Sequence, residues 1–331
     1  MHASSTTNKK KMAVTIISKS SKSFVIMLFP LLVLLSYTPN MVLVRSDNTT
    51  ITQTEKDLFE FALNFAYLEC EFFLNGALGY GLDVVAPKLV EGGPPPIGAK
   101  RANLGPLVKD LMSQIGYQYT GQLRAKKRIV KGFPRPLLNI SSELFAQLMD
   151  NAFERPLVPP FDPYVNEINF LLASYVIPYI GVTGLTNANI LLETPTAKAL
   201  LAGILGMESG QDGVIRTLLY EHRARLVDPY KESVEEFTNR ISELRNKLGR
   251  EGLKDEGLVV PKELGAEGKV SGNILSGNND SLQYGRTAPE LLRIVYLTGN
   301  ESRPGGFFPK GADGVLAKSF LASYIYFNNY N

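Results

Sequence analysis

The feature that most constrains this chain is the spacing of its apolar residues. Five long segments repeat them at intervals of three and four, and no alternating strand pattern of useful length occurs anywhere. The segments run from Thr54 to Leu78, Leu104 to Val130, Val165 to about Gly181, Thr194 to Arg225 and Glu232 to Leu248. Shorter helices are expected over about Ser142 to Phe153 and Ala288 to Leu297. The fold class is therefore all-α with long connections. Glu91-Gly92-Gly93-Pro94-Pro95-Pro96 separates the first two segments, and Pro134, Pro136, Pro156, Pro159 and Pro160 punctuate the approach to the third. Gly249 to Arg286 is rich in Gly, Asn and Ser and reads as loop. The Arg303-Pro304-Gly305-Gly306 turn and an aromatic tail close the chain. Residues 54–225 read as a helical bundle, and residues 226–331 as a helical, loop-rich extension packed on it.

The inward faces are unusual. On the first helix Leu58, Phe61, Ala62, Phe65 and Phe72 form a stripe that includes Glu69. Glu71 falls about 200° away with Glu60, Asn64 and Asn75, so it is expected to be solvated or capping. The second stripe runs Val108, Met112, Ile115, Tyr119, Gln122, and the fourth runs Leu201, Ile204, Leu205, Glu208, Gln211, Ile215, Leu218, Leu219, His222. The fifth helix carries Glu235, Glu236, Arg240, Glu243, Arg245 and Lys247 on faces expected to be exposed. A buried carboxylate without a partner is costly, so the inward polar groups should meet one another or a metal ion.

Residues 1–46 have the layout of a secretory signal. A lysine-rich start precedes the apolar run Phe24 to Leu35, and cleavage is expected after Ser46. Pro30 interrupts that run, and no other stretch nears the roughly 20 apolar residues of a membrane span. Removing the leader takes away five lysines, Arg45 and no acid, so a net charge of +3 becomes −3. The basic balance belongs to the leader, and a nucleic-acid surface is not supported. Cys70 is the sole cysteine, inside an apolar helical pattern, so it reads as a buried thiol. Sequons at Asn48, Asn139, Asn279 and Asn300 are candidate glycan sites in a secreted chain.

Several stretches together resemble the plant desiccation-related proteins of the ferritin-like superfamily: Leu68-Glu69-Cys70-Glu71-Phe72-Phe73, Phe161-Asp162-Pro163-Tyr164, Phe170 to Tyr175, Glu208-Ser209-Gly210-Gln211-Asp212 and Gly299 to Gly311. The resemblance implies a ferritin-like four-helix bundle. Such bundles build a two-metal site from four Glu and two His, the His supplied by Glu-x-x-His pairs on two helices. Carried over residue by residue, the pattern keeps Glu69 and Glu208 only. Tyr119 and Gln122 replace the second-helix pair, Pro178 the third-helix carboxylate, and Gln211 the fourth-helix His. Pro178 should also end or kink its helix. His222 lies 14 residues beyond Glu208, about 21 Å along the helix, and cannot complete the site.

The leader, the resemblance and these losses together imply a secreted, extracellular stress-related protein without enzymatic activity or cofactor. It would sit in the apoplast or cell wall and act in protection or through protein or cell-wall partners. The alternative is a metal-binding protein that takes a hard divalent cation, or weakly iron or manganese, on Glu69 and Glu208. Without metal, the two carboxylates would face each other with no cation. At least one would then be protonated, donating to Gln122 or Gln211.

Overall fold

The computed structural model describes residues 50–328, with side chains through residue 321; the expected leader and Asn48 lie outside the described residues. Helix α1, Gln53–Leu78, starts at a capping box in which Thr52 and Glu55 satisfy each other's backbone N–H groups. It stops at Gly79, whose φ of 86° only glycine adopts readily. After single-turn pieces at Leu82–Val85 and Pro87–Val90 come α2, Pro106–Lys126, and the amphipathic α3, Ser142–Phe153, capped by Ser141. The third bundle helix comes in two halves, α4, Glu167–Val176, and α5, Pro178–Asn189. Helix α6, Pro195–Glu221, completes the bundle, with Thr194 capping it.

The tail of the chain is also structured. A two-residue antiparallel ladder pairs Leu226–Val227 with Glu232–Ser233. Then follow α7, Val234–Gly249, the loop to Thr287, α8, Ala288–Val295, and α9, Val315–Asn328. Where the sequence suggested only an aromatic tail, the backbone of α9 is helical and packs on α1. Helix α7 packs on α3, α4 and α6, and α8 on α5 and α7. Residues from Ile51 onward form one compact unit.

Helices α1 and α2 pack together along their length; α6 meets α2, α4 and α5. The core between them is aromatic. Phe72 stacks on Phe170 at 4.8 Å, and Phe73 stacks on Tyr119 at 5.7 Å. The segment Glu167–Asn189 spans 23 residues at a mean hydropathy of 1.5, long and apolar enough by composition to cross a membrane. That corrects the expectation that no such stretch lies outside the leader; Asn169, Ser174, Pro178 and Thr183 had masked it. Its most apolar window is 94% buried inside the protein, as a central bundle helix should be.

Two expectations about exposure, for Glu71 and Arg245, are corrected. Glu71 is fully buried, gripped by Arg135 and by Asn75 Nδ2 at 2.9 Å. Asn64 on the same face is buried too, donating to the Asp313 carbonyl at 2.8 Å. The face opposite the bundle axis is roofed by Asp83, the Gly93–Arg135 region and residue 313, which come from distant sequence. Arg245 is buried, not exposed, and pairs with Asp255 at 2.5 Å.

Candidate functional site at the bundle centre

The inward polar residues of α1, α2 and α6 do meet. Glu69, Tyr119, Gln122, Glu208 and Gln211 are all buried. Stacking on Phe73 fixes the Tyr119 ring. Among the described residues, both Glu69 oxygens, Glu208 Oε2, Tyr119 Oη, Gln211 Oε1 and both amide atoms of Gln122 have no hydrogen-bond partner. Gln211 Nε2 donates to Gln118 Oε1 at 2.8 Å. The expected carboxyl-to-glutamine bonds are therefore not formed.

Two residues of the site were missed in the sequence. The first is Lys126, whose buried ammonium lies 3.7 Å from Glu208 Oε1. The carboxylate pair thus has a cation beside it, correcting the expectation that it has none. Lys126 follows Gln122 by four on the α2 stripe, which was a readable signal. The second is Gly181. A Cβ there would stand 2.6 Å from Glu69 Oε1 and 2.7 Å from Glu208 Oε2. The third-helix position that comes against the two carboxylates is therefore Gly181, not Pro178. Pro178 sits one turn earlier, where it opens α5.

Electrostatics follow from burial. Desolvation and the Glu208 charge push Glu69 well above the usual carboxylate range, against the pull of Lys126. Desolvation pushes Glu208 up to about 6, again opposed by Lys126. Two carboxylates and one ammonium leave one negative charge uncompensated, so the centre takes up either a proton or a cation.

The donor set decides which cations fit. Every unpartnered atom but Gln122 Nε2 is an oxygen, from carboxylate, amide or phenol, the set that suits a hard divalent ion. Among the described residues no three His, Cys, Asp or Glu side chains gather as a metal-binding group, so a two-metal, imidazole-bearing centre does not fit. His222 caps the far end of α6.

A cavity of about 40 Å³ adjoins the site. Lys126, Gly181 and Glu208 line it against an apolar wall that includes Phe61, Phe65 and Leu185. On the other side an open cleft of about 340 Å³ between α2 and α6 reaches Gln122. Of the sequon asparagines, Asn279 is exposed. Asn139 and Asn300 are half-buried, their Oδ1 atoms accepting from Ser141 N and Ser302 N.

Four bundle helices with carboxylates from two of them meeting at the centre define a ferritin-like protein. The ferritin-like domain family profile matches residues 54–221, and this chain belongs to that family. It is 53% identical over 275 residues to the ferritin-like catalase Nec2 of Nesocodon mauritianus, covering 83% of this chain and 88% of the relative. It is 50% identical over 264 residues to the desiccation-related protein PCC13-62 of Craterostigma plantagineum, covering 80% and 84%. No solved structure matches the chain. The first relative overturns the expectation of a protein without enzymatic activity. Counting lost ligands measures distance from one two-metal pattern, not from catalysis.

Proposed function

We propose that this protein disproportionates hydrogen peroxide at the centre of its bundle, within a stress-related role. The observation that carries the reading is the size and lining of the inner cavity. At about 40 Å³ it has room for a molecule as small as peroxide. Its polar lining is Glu208, Lys126, Asn187 and Arg286, and the rest of its wall is apolar. The Nesocodon relative's name adds the reaction class, and that of the Craterostigma relative the stress context.

The reaction needs no second substrate. Two peroxide molecules give two waters and one dioxygen, one being oxidised while the other is reduced. Glu69 and Glu208, with Tyr119, Gln122 and Gln211, would hold a hard cation. When that ion is manganese, it supplies a store for the two electrons exchanged. The two protons released by the peroxide that is oxidised are taken up by the one that is reduced, so none is gained or lost overall. Lys126 keeps the carboxylate pair from carrying two uncompensated charges, and the apolar wall limits competing solvent.

The test is oxygen evolution by the purified protein with its metal content measured on the same sample. Dioxygen should appear at one mole per two of peroxide, and Glu69→Ala should lower the rate by about 100-fold or more. Protein that carries a stoichiometric metal yet evolves no more oxygen than buffer would refute the proposal. The leader and sequons further support a protein secreted to the extracellular space and glycosylated there.

A further inference from the structure

Two glutamines belong to the bundle centre, and one of them is held from outside it. Gln211 follows Glu208 by three on the inward face of α6 and is 4% exposed. Its Nε2 donates to Gln118 Oε1 of α2 at 2.8 Å. Its Oε1 is buried and has no partner among the described residues. Gln118 itself is exposed, on the wall of the open cleft between α2 and α6, one turn before Gln122. The bond therefore runs from the solvent edge inward, and it engages the nitrogen end of the Gln211 amide.

Which end is engaged matters. A primary amide has a donor at one end and an acceptor at the other, and the two ends have nearly the same shape. Packing distinguishes them poorly, so a fixed hydrogen-bond partner decides. A partner that accepts takes the NH2 group and leaves the oxygen unengaged. A partner that donates takes the oxygen and leaves the NH2 group, whose hydrogens repel a cation. The neighbouring unpartnered atoms of Glu69, Glu208 and Tyr119 are oxygens, so the orientation of Gln211 determines whether it adds to that donor set or opposes it. We propose that Gln118 is a positioning residue, which turns the Gln211 amide so that its oxygen is available to a hard divalent cation at the bundle centre. This rests on the reading of that centre as a cation site, and Gln118 acts on it through Gln211 alone.

The test is calorimetric titration of chelator-treated protein with manganese(II), magnesium and calcium, at about 0.5 M salt so that exposed charges are largely screened. Gln118→Leu removes the acceptor and should weaken the tightest-bound ion about tenfold. Gln118→Glu can only accept, and should bind that ion at least as tightly as wild type. Gln118→Lys can only donate, turns the Gln211 amide over, and should bind more weakly than the leucine variant. Gln114 is exposed one turn earlier on α2. Gln114→Glu and Gln114→Lys make the same charge changes without the bond, and should stay within about twofold of wild type. A leucine variant equal to wild type, a glutamate variant as weak as leucine, or an equal spread of affinities at positions 114 and 118 each overturns the positioning role and leaves the cation in place. Wild type that takes up none of the three ions overturns this proposal together with the cation site beneath it.

Discussion

At the scale of the residue, Lys126 changes what the two buried glutamates mean. Glu208 has a cation at 3.7 Å, and Glu69 is the carboxylate left over. The fold raises both above the unfolded value of about 4.3, so it favours their protonated forms. That contribution is fully present below about pH 4.3 and is lost as pH rises through the folded value, about 6 for Glu208. Replacing the two glutamates is therefore not equivalent. In chelator-treated protein, Glu69→Gln should raise the melting temperature at about pH 7.5 and change it little at about pH 5. Glu208→Gln strands a buried ammonium and should cost about 3 kcal/mol at about pH 7.5. Equal shifts for the two variants in thermal melts would show that Lys126 does not divide them. The inward turn of Glu69, Tyr119, Gln122, Glu208 and Gln211 was legible, because 3.6-residue periodicity alone fixes it. Lys126 continued the same stripe, but a lysine at a stripe's end commonly snorkels to solvent, and what buries this one is a carboxylate from another helix. Glu71 was misplaced for a related reason. Periodicity tells which side of a helix faces its neighbours in the bundle, not whether a later loop covers the opposite side.

At the scale of the element, the third helix is where sequence and structure part. Pro178 was expected to end or kink the helix. It divides it, yet the path continues, because Ile177 keeps helical angles of −86° and −58° and proline at a first-turn position needs no N–H partner. The continuation brings Gly181 against the carboxylates, and a missing side chain leaves no mark in a hydropathy pattern. The starts of α1, α3, α6 and α7 carry the side-chain caps Thr52, Ser141, Thr194 and Ser233, residue types that mark a helix start and are readable in the sequence. The helical form of residues 315–328 was not, since its packing partner is α1, from distant sequence. Gly181→Ala should push Glu69 and Glu208 apart, costing about 1–3 kcal/mol and most of the oxygen evolution. Gly203→Ala on α6, where a Cβ meets nothing within 4 Å, should instead gain up to about 1 kcal/mol and leave activity intact. Matching melts and rates for the two alanines would mean that the space at Gly181 has no role.

At the scale of the whole molecule, the loop after α7 is tied to the bundle by charge rather than by a core of its own. Arg216 and Arg245 are buried beneath it, with Asp255 paired to Arg245. The proposed secretion makes its prediction at this scale. Protein recovered from culture medium should begin at Asp47 and shift on a gel after glycosidase treatment. A retained leader in a membrane fraction would contradict it. Within that route, Glu167–Asn189 poses a problem of timing. A chain threaded across a bilayer presents this segment before α6, which covers it, has been made. Until then its apolarity matches that of a true stop signal, and Pro178, in its middle, is what weakens the resemblance. The same stretch that holds the finished bundle together would be, during its synthesis, prone to lodge in lipid or to stick to another nascent copy. Durability of the folded protein then rests on how slowly the bundle reopens, because each opening returns that segment to the exposure it had at birth.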